Sequence, residues 1–411
     1  MKKRSAVSKK PEKPIVTILG MGYIGLPTAA LIASRGMKVY GVDVNRSVVD
    51  TINKGKIHIV EPDLEGLVHI AVRKGILVAT MKPVPSDVFM VAVPTPFKKS
   101  HQPDLSYVEK AVRMAAPHLR AGNLFIIEST SPVGTTEKMA KLLSKIRPDL
   151  DGKYYMAYCP ERVLPGSVIH ELQQNDRVIG GIDDASTEAA VRFYSRFVRG
   201  SLHPTDSRTA EMTKLVENAY RDVNIAFANE LSIICEKAGI NVTELIHLAS
   251  KHPRVKILQP GPGVGGHCIA VDPWFIASAF PQEARIIRAA REVNSYKTEW
   301  VLNQVRSKSK HLKKRFGREP LIACMGLAYK ANIDDLRESP ALEIFQTLKR
   351  EGFAVMAVEP NLSHHSAFRI TEMNEALKHA DMIVYLVAHK EFSGLKNSDK
   401  TVLDFCGITR F

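Results

Sequence analysis

Cys268 closes the run Gln259-Pro260-Gly261-Pro262-Gly263-Val264-Gly265-Gly266-His267-Cys268. Four glycines and two prolines in the ten positions before it leave little to pack around the sulfur. The usual fate of cysteine, an inert buried thiol, is therefore disfavoured, and a nucleophile is indicated. A second chemical signal stands near the start. The apolar run Ile15-Val16-Thr17-Ile18-Leu19 leads into Gly20-Met21-Gly22-Tyr23-Ile24-Gly25, a G-x-G-x-x-G after a strand, where glycines let backbone amides approach a pyrophosphate. The next strand ends at Asp43, 23 residues past Gly20. A carboxylate there accepts ribose hydroxyls and repels a 2′-phosphate, which favours NAD over NADP, although Arg46 nearby leaves that choice open. Beside a hydride acceptor, a nucleophilic cysteine holds an aldehyde as a thiohemiacetal, which surrenders hydride to become a thioester; water then releases a carboxylate.

That chemistry needs an oxyanion partner and an acid/base group. The stretch from Thr209 to Lys237 has no proline or glycine and helical periodicity. On it Lys214, Asn218 and Arg221 stand at i, i+4 and i+7, so they share one face, and Lys214 with Asn218 supplies the required pair. Asp272, four residues past the thiol, can orient Lys214 or a water, with an Asp-Pro turn as an equally good account. Glu161 follows Pro160 at a strand end and is a candidate base for the hydrolytic step. The turns Pro94-Thr95-Pro96 and Glu128-Ser129-Thr130-Ser131-Pro132 are suited to lining a cofactor groove, although Ser and Thr also serve as caps.

The elements that must position these residues alternate. Strands are expected at 15–19, 38–42, 88–93, 124–128 and 154–158, with a helix from Leu26 to Arg35, the pattern of a parallel sheet covered on both faces. A fresh βαβ begins at 321–326, continues through a helix from Ala341 to Arg350 and returns at 353–358, with another strand at 382–387. The fold class expected is α/β, two Rossmann-like doubly wound domains joined by a long central helical segment. Domains are set at 14–204, 205–304 and 305–411, after a basic tail at 1–13. The stretch 306–318 reads as the exit from the central helices and a linker.

At 411 residues and 45% hydrophobic content the chain holds several cores. The net charge of +14 is concentrated: residues 1–14 and 301–318 supply twelve of those charges, without the interleaved aromatics of a base-stacking surface. No nucleic-acid partner is expected. Five scattered cysteines without C-x-x-C suggest neither a disulfide framework nor a metal site. With no apolar leader or span, neither secretion nor membrane insertion is expected, and a reducing cytoplasm fits.

These residues resemble the UDP-glucose/GDP-mannose dehydrogenase family. Gly20-x-Gly22-x-x-Gly25, Pro94-Thr95-Pro96, Glu128-Ser129-Thr130, Pro160-Glu161, Lys214-x-x-x-Asn218, Gly265-Gly266-His267-Cys268 and Lys330 with Arg337-Glu338-Ser339 carry the resemblance from about residue 14 to the C-terminus. It implies oxidation of the C6 alcohol of a nucleotide sugar to a carboxylate at one site with two NAD⁺. Cys159 to Gly166, Ser207 to Glu211, His252 to Val255 and Gly263 to Phe275 look most like the branch acting on UDP-N-acetyl-D-mannosamine, with UDP-N-acetylglucosamine as the alternative. Pro165 stands where the UDP-glucose branch has a second glutamate, which supports an N-acetylhexosamine. The resemblance further implies that Gly20, Gly22, Tyr23, Ile24, Gly25, Asp43, Thr95, Thr130 and Arg337 hold NAD, with Thr130 also serving the chemistry. Arg162, Val163, Lys214, Asn218, Arg221, His252, Arg254, Gly265, Tyr329 and Lys330 would hold the UDP-sugar, Arg254 reaching a neighbouring subunit's site. A homodimer covering the apolar faces of the long helix is expected. The alternative from another class, a nucleotide-sugar or NAD(H) sensor without turnover, needs none of Cys268, Lys214 and Glu161.

Overall fold

In the computed structural model, residues 13–96, 98, 102–163, 166–266, 268–395 and 400–410 are described; the tail through Glu12, Pro165 and His267 lie outside them. β1 (Val16–Leu19) is buried along its whole length, as a strand covered on both faces must be. It lies inside an eight-stranded sheet with β2 (Val39–Val42), β3 (Leu77–Thr80), β4 (Val88–Val91), β5 (Leu124–Ile127), β6 (Tyr155–Tyr158), β7 (Arg177–Gly181) and β8 (Leu202–Asp206). The order is β3-β2-β1-β4-β5-β6-β7-β8, and every pair is parallel except β6 with β7. The first six strands repeat the Rossmann order, whose direction of winding reverses between β1 and β4 and opens a crevice beyond their carboxyl ends.

Helices cover both faces. α1 (Gly25–Ser34), α3 (Leu64–Arg73), α6 (Val168–Gln174) and α7 (Asp184–Tyr194) bury Leu26, Val68, Leu172 and Phe193 against Ile18, Met90 and Ile126. α4 (Ser106–Ala115) and α5 (Thr135–Ile146) bury Val112, Met139 and Leu143 against Leu19, Phe89 and Phe125. α2 (Arg46–Asn53) starts at Asn45, whose side chain accepts the Ser47 N–H.

The chain divides into two compact units between Leu215 and Val216. That point falls within α8 (Ser207–Ala238), the expected long helix. The second unit continues with α9 (Val242–Ala249), α10 (Asp272–Ala279) and α11 (Arg285–Phe316). A four-stranded parallel sheet follows, built from β9 (Ile322–Met325), β10 (Val355–Val358), β11 (Met382–Tyr385) and β12 (Thr401–Asp404) in the order β10-β9-β11-β12. α12 (Pro340–Arg350) packs with α11 on one face and α13 (Met373–His379) on the other.

The linker reading of 306–318 is corrected. α11 runs unbroken to Phe316 and ends at Gly317 with φ of 68°. Its buried Val301, Leu302, Val305, Ser309 and Leu312 keep helical spacing beneath the lysines and arginines. Lys313, Lys314 and Arg315 in its last turn also suit the negative end of the helix dipole.

A buried polar seam joins α8 to α11. Arg291 donates to Asp222 at 2.7 Å, Asn294 donates to the same oxygen at 2.8 Å, and Asn229 donates to Asn294 at 2.8 Å. The Asn229 amide oxygen accepts the Gly261 N–H at 2.9 Å, which ties the seam to the start of the thiol loop.

Candidate active site

In the first unit most of the residues singled out from sequence follow the carboxyl ends of five strands, β1, β2, β4, β5 and β6. Gly20, after β1, has φ of 95°, and a Cβ on it would strike the Ala92 carbonyl; one on Gly25 would strike the Gly20 carbonyl. A Cβ at Gly22 would meet nothing within 4 Å, so space is kept beside that amide. Asp43, after β2, accepts the Met21 N–H at 3.0 Å and the Asn45 N–H at 2.8 Å, which holds its carboxylate against the glycine turn. Tyr23 is exposed, and Ile24, Thr95 and Thr130 are partly so. The space at Gly22 and the fixed carboxylate at Asp43 fit the pyrophosphate and ribose of NAD. Sequence reasoning missed His58 here: burial lowers its pKa against the opposing pull of Asp43.

Glu161 follows β6 but is nearly closed to solvent. Its Oε2 accepts from Arg177 Nη1 at 2.7 Å and its Oε1 from the Arg162 N–H at 2.6 Å. Glu128, after β5, accepts from the Tyr194 hydroxyl at 2.7 Å. Burial first, then the charge of Glu161, raise the Glu128 carboxyl to about 7 against the pull of Arg177. The neighbouring Cys159 thiol is pushed up to about 12, chiefly by burial, and is no nucleophile. Arg162 is partly buried and donates to the Asp176 carbonyl at 2.5 Å; Val163 packs against the core. Sequence reasoning gave Glu211 no role. It is fully buried and accepts from the Gly134 and Thr136 amides at 2.6 and 2.7 Å, clamping the turn that follows Thr130.

In the second unit Cys268 is exposed, as a nucleophile must be. Its carbonyl accepts the N–H groups of Val271 and Asp272 at 3.0 and 2.8 Å and so starts α10. Asp272 is buried and accepts the Asn218 amide at 2.5 Å, so two of the sequence candidates are joined. Gly266 has φ of 82°, and a Cβ on it would run into the Tyr329 ring; one on Gly265 would strike Glu338 and Pro340. The glycines therefore let the thiol loop lie on the segment 329–340, where Gly266 also donates to the Arg337 carbonyl at 3.2 Å. Burial, followed by the charges of Asp335 and Cys268, raises the Tyr329 phenol above its ordinary value, with Arg337 opposing. Arg337 is held by Asp335 at 2.6 Å.

Lys214 is partly exposed on α8, and Arg221 and Lys330 are exposed. His252 and Arg254 lie on an exposed turn after α9, with the Arg254 N–H donating to His252 Nδ1 at 3.3 Å.

Two Rossmann-type sheets, one with a dinucleotide turn, and an exposed thiol on a glycine loop are the parts of a nicotinamide-dependent oxidoreductase. Sequence patterns of the UDP-glucose/GDP-mannose dehydrogenase family match the chain in succession: its NAD binding domain at 15–198, its central domain at 208–296 and its UDP binding domain at 323–410. The chain belongs to that family; it is an NAD-dependent nucleotide-sugar dehydrogenase. It is 54% identical over 409 residues to the NDP-N-acetyl-D-galactosaminuronic acid dehydrogenase of Ralstonia nicotianae, covering 96% of each chain. It is also 54% identical over 408 residues to the UDP-N-acetyl-D-mannosamine dehydrogenase of Campylobacter jejuni, covering 95% of this chain and 98% of that one. A solved UDP-N-acetyl-mannosamine dehydrogenase from Staphylococcus aureus superposes with a TM-score of 0.86 at 40% identity and 96% coverage of both. Among the described residues no helix is long and apolar enough to cross a membrane.

Proposed function

We propose that the chain oxidises the C6 alcohol of UDP-N-acetyl-D-mannosamine to the carboxylate in one site, consuming two NAD⁺ and one water and yielding two NADH and three protons. The exposed thiol of Cys268 on its glycine loop carries this reading, because a single two-electron oxidation has no use for a nucleophile. NAD, when bound, is the acceptor of both hydrides. The C6 aldehyde is captured by the Cys268 sulfur; the new C–S bond turns the carbonyl into an oxyanion, for which Lys214 and the Asn218 amide are the proposed partners. Asp272 positions that amide through its 2.5 Å hydrogen bond. The second hydride loss leaves a thioester. Water attacks it, Glu161 takes the proton, and the C–S bond breaks to return the thiolate.

Gly20, Gly22, Gly25, Asp43, Tyr23, Ile24, Thr95, Thr130 and Arg337 are proposed to hold NAD. Arg162, Val163, Arg221, His252, Gly265, Tyr329 and Lys330 are proposed for the UDP-sugar, with Arg254 acting on a neighbouring subunit's site. A homodimer is favoured by Tyr220, Phe227 and Ile234, exposed apolar residues seven apart along α8 at 71, 54 and 53% exposure. Mixing Cys268→Ala with Arg254→Ala subunits restores partial activity if Arg254 crosses between subunits, and no rescue despite subunit exchange refutes that. The proposed division is 14–204 for NAD, 205–304 for the central helices and 305–411 for the UDP-sugar, in a cytoplasmic enzyme.

The Ralstonia relative favours a second reading, an N-acetylgalactosamine-type substrate. Incubation with NAD⁺ and the UDP-linked N-acetylated manno, gluco and galacto sugars, counting NADH per uronate, decides among them. Two NADH per product with the manno sugar preferred supports the proposal. Preference for either other epimer overturns the sugar, and no turnover with any supports a sensor.

A further inference from the structure

Among the described residues three Lys and Arg side chains are almost wholly buried. Arg177 and Arg291 each meet a carboxylate at 2.7 Å. Lys297, on α11 and 2% exposed, does not: among the described residues its Nζ donates to the Ser232 hydroxyl at 2.6 Å and lies 3.9 Å from the centre of the Trp300 ring. A buried ammonium without a carboxylate in direct contact is costly, and folds normally pair it. Here the space beside it is open instead. Lys297, Ser232 and Trp300 line a cavity of about 220 Å³ in the second unit, together with Gln259, Gln304 and Phe405. Phe405 meets Trp300 edge to face at 5.9 Å, which adds an aromatic pair to the lining.

We propose that this cavity binds a small organic monocarboxylate, its head paired with the Lys297 ammonium and the Ser232 hydroxyl and its apolar body against Trp300 and Phe405. One cation matches one negative charge. The other ionisable groups lining the cavity are Cys235 and Glu236 of α8 and Asp404 of β12, and the two carboxylates repel a dianion such as phosphate more than a monoanion. Asp404 is engaged by backbone, accepting the N–H groups of Gly407 and Thr409 at 2.7 and 2.9 Å. Gln259 begins the run that ends at Cys268, so the cavity lies at the root of the thiol loop and apart from the thiol itself.

Burial lowers the Lys297 amine from 10.5 to about 7, against the weaker raising pull of Glu236. A bound carboxylate favours the ammonium, so above that value binding takes up a proton and weakens as pH rises. Sodium benzoate is the probe, followed by saturation-transfer NMR titration of the full chain. One saturable site is expected, with affinity falling more than about tenfold between about pH 6.5 and about pH 8.5. Lys297→Met should abolish it. Absence of saturable benzoate binding, affinity indifferent to pH, unchanged binding to Lys297→Met, or tighter binding of inorganic phosphate would each overturn the proposal. The pH titration uses the unaltered chain and decides the matter even if the variant does not fold.

Discussion

Both oxygens of Glu161 are engaged, one by the Arg177 guanidinium at 2.7 Å and the other by the Arg162 amide at 2.6 Å. The carboxylate is thereby fixed at a strand end, with its remaining lone pairs left for a water. Glu161→Gln keeps the shape and removes the proton acceptor, so thioester formation should outrun its hydrolysis. Intact-mass spectrometry after mixing with UDP-sugar and NAD⁺ should then show a sugar adduct at Cys268. Normal steady-state hydrolysis without an adduct would assign the step to another group or to unassisted water.

Glu128 gives the pH dependence. Its folded carboxyl is raised to about 7 from 4.5, so between those values the folded chain holds a proton that the unfolded chain has released. Its contribution to stability is therefore present below about pH 4.5, is lost as pH rises towards 7 and stays lost above it. The full loss is of order 3 kcal/mol. Glu128→Gln cannot titrate. Urea unfolding across this range should show a flatter pH profile for the variant, and parallel profiles would mean that Glu128 is ionised in the fold.

Replacing the thiol tests covalent capture. Cys268→Ser should lower uronate formation by about three orders of magnitude or more while NAD and UDP-sugar still bind, as calorimetry would show. Near-normal production would remove Cys268 from the mechanism.

Asp43 sits against the glycine turn through the Met21 amide. Asp43→Ala should raise KM for NAD⁺ roughly tenfold to a hundredfold, the worth of hydrogen bonds to a charged acceptor, and improve relative use of NADP⁺. Unchanged constants for both cofactors would separate Asp43 from the ribose.

The first βαβ was legible because its signals are contiguous: apolar strand, glycine turn, helix and acidic strand end follow within thirty residues. The exposure of Cys268 and the place of Asn218 on a long helix were legible because glycine content and helical spacing are local properties. β8 was not, since Pro204 and a largely exposed pattern disguise an edge strand. The end of α11 was hidden by its charge, which outweighed four apolar residues at helical spacing. The Glu161–Arg177 pair escaped because Arg177 opens β7, a strand the pattern did not announce, and Glu211 because its partners lie 75 and 77 residues away. Tyr329 was named through resemblance alone, and its closeness to the glycine loop was not legible in the sequence.

The seam of Asp222, Asn229, Arg291 and Asn294 works as a keyed joint. Apolar side chains along two 32-residue helices tolerate sliding by a turn, because one leucine substitutes for another in a greasy interface. Buried amide and guanidinium groups do not, since any slip strands several of them without partners at once. Asn229 belongs to this joint and also grips Gly261, so the alignment of the two helices is transmitted directly into where the cysteine loop begins. Filling the joint with hydrocarbon would leave the helices packed and even gain stability. What it would remove is the reference mark from which the position of Cys268 is measured.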